Sequence, residues 1–194
     1  MAERNIVLAG GCFWGMEKLY RGLPGVREAT VGYANGDSQD HADYQTVCTG
    51  RTGFREALRL VYDPEEISLR KLLFFYFAVI DPTMFNRQGM DIGTQYQTGI
   101  YWSDGETEAV VRQVAAMERA ARREFYVGLE PLRCFYPAEE YHQRYLEKNP
   151  DGYCHISPGK MALLRRCPYR DEDYTVPAEE LLNAYRRTPG PAYF

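Results

Sequence analysis

Four short runs of strand character set the frame of this chain. They read RNIVLA (residues 4–9), REATVGYA (27–34), REALRLVYD (55–63) and TGIYW (98–102). Helix-length segments fill only the first and the last gap between them. GMEKLYRGL (15–23) is closed by Leu23-Pro24-Gly25, and LRKLLFFYFAVI (69–80) starts behind a capping Ser68 and stops at Asp81-Pro82. The middle gap, NGDSQDHADYQT (35–46), is polar and reads as a loop, as does PTMFNRQGMDIGTQYQ (82–97). The order β-α-β-β-α-β is the split βαβ, ferredoxin-like pattern of an α+β domain.

Beyond the fourth strand, Ser103 with Glu106 three residues on has the pattern of a capping box. It predicts a helix to about residue 125, with Val110, Val111, Val114, Met117 and Ala121 on one face. Glu108–Arg112 and Glu118–Arg122 are favourable i,i+4 pairs on it. EPLRCFY (130–136) reads as a further strand and AEEYHQRYLEKNP (138–150) as a helix. This reading makes residues 1–156 the catalytic α+β domain. Residues 157–194 become a C-terminal tail wrapped on the same domain, with a short helix near 178–187 and a loose end, TPGPAYF (188–194).

The formal charge is −4 and the longest basic clusters are pairs, Arg122–Arg123, Arg165–Arg166 and Arg186–Arg187, which argues against a nucleic-acid binder. The N-terminus has no signal-peptide pattern, and the longest apolar run, LLFFYFAVI (72–80), is far short of the ~20 residues that span a bilayer. A soluble cytoplasmic protein is expected, with no membrane partner. There are five cysteines, at 12, 48, 134, 154 and 167, and no CxxC pair, and the three histidines are scattered. That speaks against a disulfide framework and against a zinc site, so neither metal nor cofactor is expected.

One cysteine stands apart. In AGGCFWGMEKL (9–19), Cys12 falls where a strand hands over to a helix, behind Gly10 and Gly11 and ahead of Phe13 and Trp14. Unpaired amides at a helix start favour a thiolate and can lower a thiol pKa from ~8.5 toward ~3.5–7.5. A thiolate beside an aromatic hollow suits attack on an electrophilic sulfur or oxygen carried by a small apolar group. The sulfenic acid product would need a second thiol. Cys154, after the turn sequence NPDGY, suits that role, and Cys167 is the reserve. Cys48 and Cys134 sit beside apolar residues and are expected to be buried and inert.

Breaking an S=O or O–O bond also requires a proton for the departing oxygen. Glu56 opens a strand, and burial there would raise its pKa and keep the acid protonated. Tyr44 and Tyr96 lie in loops from which a phenol can reach a pocket, and Asp91 can orient such groups. A peroxide-reducing thiol enzyme fits these residues as well, and so does a binding module in which Cys12 is structural.

GCFWG (11–15) resembles the signature of the A-type peptide methionine sulfoxide reductases. The likeness continues through LPGV, VGYANG, YQTVCTGRTGFREALRLVYDP, IDPTMFNRQGMDIGTQYQTGIYW and YHQRYLEKNPDGYCHI, from about residue 4 to 156. The resemblance implies thiol-dependent reduction of methionine S-sulfoxide, free or in proteins, in antioxidant repair. It places the nucleophile at Cys12, the methyl-binding residues at Phe13 and Trp14, and the acid at Glu56. It makes Tyr44 and Tyr96 the oxygen-binding hydroxyls, Asp91 a supporting acid and Cys154 the resolving cysteine, with thioredoxin as reductant. Two departures stand out: Phe54 and Ile92 occupy positions where many relatives have histidine.

Overall fold

A computed structural model describes residues 2–187. The four anticipated strands are all present: β1 (Arg4–Ala9), β2 (Val26–Ala34), β3 (Arg55–Tyr62) and, after two-residue strands β4 (Arg87–Gln88) and β5 (Asp91–Ile92), β6 (Gly99–Trp102). Within the main sheet they lie in the order β6-β1-β3-β2, every neighbour antiparallel. That is the ferredoxin-like order, and the structure bears out the α+β reading. Two further strands extend the edges, β7 (Gly128–Pro131) parallel to β6 and β8 (Phe135–Pro137) antiparallel to β2.

Helices α1 (Phe13–Tyr20) and α3 (Leu69–Val79) pack on the sheet, following α2 (Tyr44–Val47) in the case of α3. Seven consecutive residues of α3, Leu72 to Ala78, are buried, because α4 (Gly105–Ala120) and the tail cover its outer side. A buried Leu or Phe contributes roughly 1.5–3 kcal/mol, so this helix anchors the core. Ser68 caps α3 as anticipated, accepting from the Lys71 amide at 3.0 Å.

The structure corrects several expectations. Asp104, not Ser103, caps α4, accepting from the Thr107 amide at 2.8 Å, and Glu106 pairs with Arg4 instead of closing a box. Of the expected α4 face, Val111 and Val114 are buried, Val110 and Met117 are half-buried, and Ala121 is exposed beyond the helix end. Residues 130–136 form no single strand. Asn35 stitches their middle, taking the Arg133 amide at 2.7 Å and donating to the Pro131 carbonyl at 3.0 Å, and this sends β7 and β8 to opposite edges. Residues 138–150 form no continuous helix either. Gln143 spends its side chain on the Val31 and Ala138 backbone, Arg144 takes φ +54°, and only a 3₁₀ turn (Glu140–His142) and α5 (Tyr145–Lys148) remain.

The tail folds onto the core as α6 (Pro158–Arg166), which the sequence reading did not anticipate, and α7 (Ala178–Arg187), which it did. Arg165 donates to the Lys18, Leu19 and Arg21 carbonyls and so caps the end of α1. Glu118, fully buried, accepts from Arg122, from the Tyr174 hydroxyl at 2.8 Å and from the Ala178 amide at 2.7 Å. Residues 188–194, expected to be loose, lie outside the described residues. Among the described residues no helix is long and apolar enough to cross a membrane.

Candidate active site

The handover from β1 to α1 is built on Gly11, which takes φ +81°, and a Cβ there would lie 2.7 Å from Gln88 Cβ. Only glycine supplies that left-handed turn under that neighbour. Cys12 follows as the N-cap residue of α1, 6% exposed. Its thiol is pushed up, not down. Burial is the largest cause and the negative charge of Glu56 the next. The amides of Trp14 and Gly15 pull the other way without closing a capping hydrogen bond. The expectation of a resting thiolate counted the helix amides and missed the burial and the carboxylate.

Glu56, the second residue of β3, sits opposite Tyr33 in the sheet and is 2% exposed. Its Oε2 accepts from the Phe13 amide at 3.1 Å, so one of the orphan donors of α1 is satisfied by the glutamate. Burial raises its pKa to about 8. The Phe13 amide lowers it in part, and the charge of Asp91 raises it further. At neutral pH this group is mostly a protonated acid, held one residue from Cys12.

Tyr44 opens α2 and Tyr96 ends a 3₁₀ turn (Thr94–Tyr96); both are half-buried. Burial pushes both phenols up. Cys48 adds to the effect at Tyr44 and Glu56 to that at Tyr96, and both phenols also respond to the charge of Cys12. They remain hydrogen-bond donors across the physiological range. Asp91, in the β4–β5 hairpin, accepts from the Tyr153 hydroxyl at 2.9 Å, and its charge acts on Cys12, Glu56 and Tyr96.

Phe13 is buried, 6.0 Å from the Tyr33 ring. Trp14 stacks on Tyr145 at 3.7 Å and donates its indole N–H to His142 Nδ1 at 3.0 Å. His142 lies within 5.1 Å of the Phe13 ring and 4.7 Å of the Tyr44 ring. Burial lowers its pKa, and the neutral ring faces Glu139 through Nε2 at 3.6 Å. Glu139 also takes the Tyr44 amide and the Tyr33 hydroxyl, both at 2.9 Å. His142, Tyr145 and Glu139 received no role from the sequence. The signal was the cluster of aromatic and imidazole side chains at 141, 142 and 145, hidden by reading the segment as a helix.

Cys154 is half-buried, its thiol donating to the Ile156 carbonyl at 3.2 Å. Its segment lies against the first turn of α1: a Cβ on Gly15 would meet His155 Nδ1 at 2.9 Å and Cys154 Sγ at 3.3 Å. The second glycine of GCFWG is therefore the seat of the Cys154 loop. Cys167 sits at the far end of α6, donating to the Leu164 carbonyl at 3.1 Å, in the field of Lys71. Cys48 and Cys134 were expected to be buried, but Cys48 is exposed and Cys134 half-buried. The apolar neighbour Val47 turns inward in the single turn of α2 and leaves Cys48 outside, while Cys134 rides the link between β7 and β8. All five thiols are free. Among the described residues no cluster of three or more His, Cys, Asp or Glu side chains is arranged to hold a metal ion.

A thiol that can carry electrons and a protonated carboxyl that can supply a proton meet here at one helix start, as a thiol-dependent reductase requires. Comparison with known proteins specifies the class. The family model described as peptide methionine sulfoxide reductase matches residues 4–167. The chain is 47% identical over 154 residues to the peptide methionine sulfoxide reductase MsrA of Clostridium botulinum (strain Okra / Type B1), covering 79% of this chain and 98% of that protein. Its fold is similar to that of reduced Mxr1 from Saccharomyces cerevisiae, with TM-score 0.75, 39% identity, and 80% and 91% of the two chains covered. It is also similar to Mxr1 in complex with Trx2, with TM-score 0.52, 28% identity, and 74% and 84% covered. The chain belongs to the peptide methionine sulfoxide reductase family, and it is a thiol-dependent methionine sulfoxide reductase.

Proposed function

We propose that the protein reduces methionine S-sulfoxide, free or in proteins, with Cys12 as nucleophile and Glu56 as acid, through a sulfenic acid and a Cys12–Cys154 disulfide. The observation that carries this reading is the Phe13 amide bond to Glu56, which holds a protonated carboxyl beside the thiol. The sulfoxide methyl group rests against Phe13 and Trp14. Glu56, Tyr44 and Tyr96 donate to the sulfoxide oxygen, where negative charge develops.

Burial disfavours the charged form of both Cys12 and Glu56, so the two protons move together. Glu56 protonates the oxygen as the Cys12 sulfur bonds to the sulfoxide sulfur, and the thiol proton replaces the one Glu56 gave up. The oxygen passes to Cys12, methionine leaves reduced by two electrons, and Cys12 is left as a sulfenic acid. Cys154 then attacks that sulfur, water departs, and a disulfide remains. Thioredoxin is the reductant that restores both thiols, a reading supported by the complex of Mxr1 with Trx2.

The assigned groups fall between residues 12 and 154. On this reading residues 1–156 act as the catalytic domain and the described part of the tail, residues 157–187, braces it. Five free thiols suit the reducing conditions of the cytoplasm. Mass spectrometry after one equivalent of methionine S-sulfoxide, without reductant, tests the assignment. A Cys12–Cys154 linkage with one methionine released is the expected product, and a linkage through Cys167 would contradict it.

A further inference from the structure

On the reading above, Cys154 must lose a proton as it closes on Cys12, and no group assigned so far accepts it. His155 lies beside it, with Nε2 3.0 Å from the Gly10 carbonyl oxygen. A carbonyl only accepts, so Nε2 carries a hydrogen. Nδ1 is buried and, among the described residues, has no hydrogen-bond partner. A buried acceptor left unpaired costs about 1–3 kcal/mol, and such atoms call for an explanation. This one is aimed at Gly15: a Cβ there would be 2.9 Å from Nδ1 and 3.3 Å from Cys154 Sγ, so nitrogen and sulfur crowd the same point.

The surroundings keep the ring neutral. Burial lowers its pKa, outweighing the charge of Asp91 and the bond to Gly10. His155 also lines a cavity of about 460 Å³ shared with Asp81 behind α3, Arg122 after α4, Lys160 on α6 and Glu179 on α7. Two carboxylates and two cations face one another across that space. Nδ1 is thus a bare lone pair that shares the space over Gly15 with the second thiol, on a ring pinned to the α1 start by its other nitrogen.

We propose that His155 is the general base for Cys154 in the disulfide-forming step. At rest the Cys154 S–H is held by the Ile156 carbonyl; as the thiol turns from it toward Cys12, the proton goes to Nδ1 and the freed electron pair forms the S–S bond with Cys12. The S–O bond of the sulfenic acid breaks, and the hydroxyl leaves as water with the proton of Glu56. Cys154 is oxidised and Cys12 reduced. Exchange with solvent returns the imidazole to neutrality and Glu56 to its protonated form.

The test is single turnover with methionine S-sulfoxide and no reductant, following methionine release and loss of free thiols separately. His155→Gln retains an N–H able to reach the Gly10 carbonyl and removes the base. Methionine release should proceed at the parent rate. Disulfide closure should slow about tenfold or more at pH 7, because the thiol proton then has no base in place to accept it. The parent closure rate should fall on the acid side with an inflection below the ordinary histidine value of ~6.5, and the variant should lack it. His155→Ala opens onto the neighbouring cavity, and added imidazole should restore part of its closure rate. Closure at the parent rate in His155→Gln would overturn the proposal. So would an unchanged pH profile, or no response of His155→Ala to imidazole, since either outcome leaves His155 a mere latch. A Cys154→Ser variant that still oxidises Cys12 to an intramolecular disulfide would instead remove the underlying reading of Cys154.

Discussion

Glu56 and Glu118 are both buried glutamates, and their surroundings differ in kind. Glu118 has an arginine, a tyrosine hydroxyl and a backbone amide directed at it, and those donors tie α4 to the tail. Glu56 has one amide and no cation, and the nearby charge that acts on it is the like charge of Asp91. Burial with compensation makes the first a structural clamp. Burial without it makes the second an acid that keeps its proton to about pH 8. The same contrast separates the cysteines, since burial raises both thiols but Cys12 lies in the field of the acids Glu56 and Asp91 whereas Cys167 lies in that of Lys71.

Substitutions can break this contrast in order of size. Cys12→Ser should abolish sulfoxide reduction in a steady-state assay while the protein stays folded by circular dichroism. Glu56→Gln should slow methionine release in single turnover by about 10²–10⁴, as expected of a general acid, with thermal stability retained. Glu118→Leu should do the reverse. It leaves the Tyr174 hydroxyl and the Ala178 amide without their acceptor and removes the carboxylate from Arg122, and it should cost about 3–5 kcal/mol in urea unfolding, with activity per folded molecule near the parent value.

The pH dependence sharpens the comparison. The folded pKa of Glu56 lies above its unfolded value of ~4.3. Its contribution to stability is therefore fully present below that value and is lost as pH rises through about 8. Relative to the parent, Glu56→Gln should gain stability between pH 5 and 9, measured by unfolding at each pH. The smallest effect is expected from Cys167→Ser, which should leave turnover with thioredoxin unchanged.

Much of the site was legible because its residues fall at punctuation points of the sequence. Cys12 follows two glycines at a strand end, and Glu56 starts a strand where a carboxylate is out of place. The four-strand frame was legible because each run alternates or is short and apolar between turn residues. What was not legible depends on tertiary partners. Residues 130–136 read as one strand, and only Asn35, far away in sequence, divides them. The segment around His142 looked helical because Gln143 takes over backbone partners that local periodicity does not reveal. The state of the Cys12 thiol was misjudged for the same reason: the burial that raises it comes from tertiary packing, and Glu56, which adds to it, lies 44 residues further along the chain.

The central claim is that a protonated carboxyl stands beside Cys12 at neutral pH. Difference infrared spectroscopy of the reduced enzyme against Glu56→Gln measures it directly. The account predicts a protonated-carboxyl band that is present at pH 7, titrates near pH 8 and is missing from the variant. A band that vanishes near the ordinary glutamate pKa of ~4.3 would contradict it.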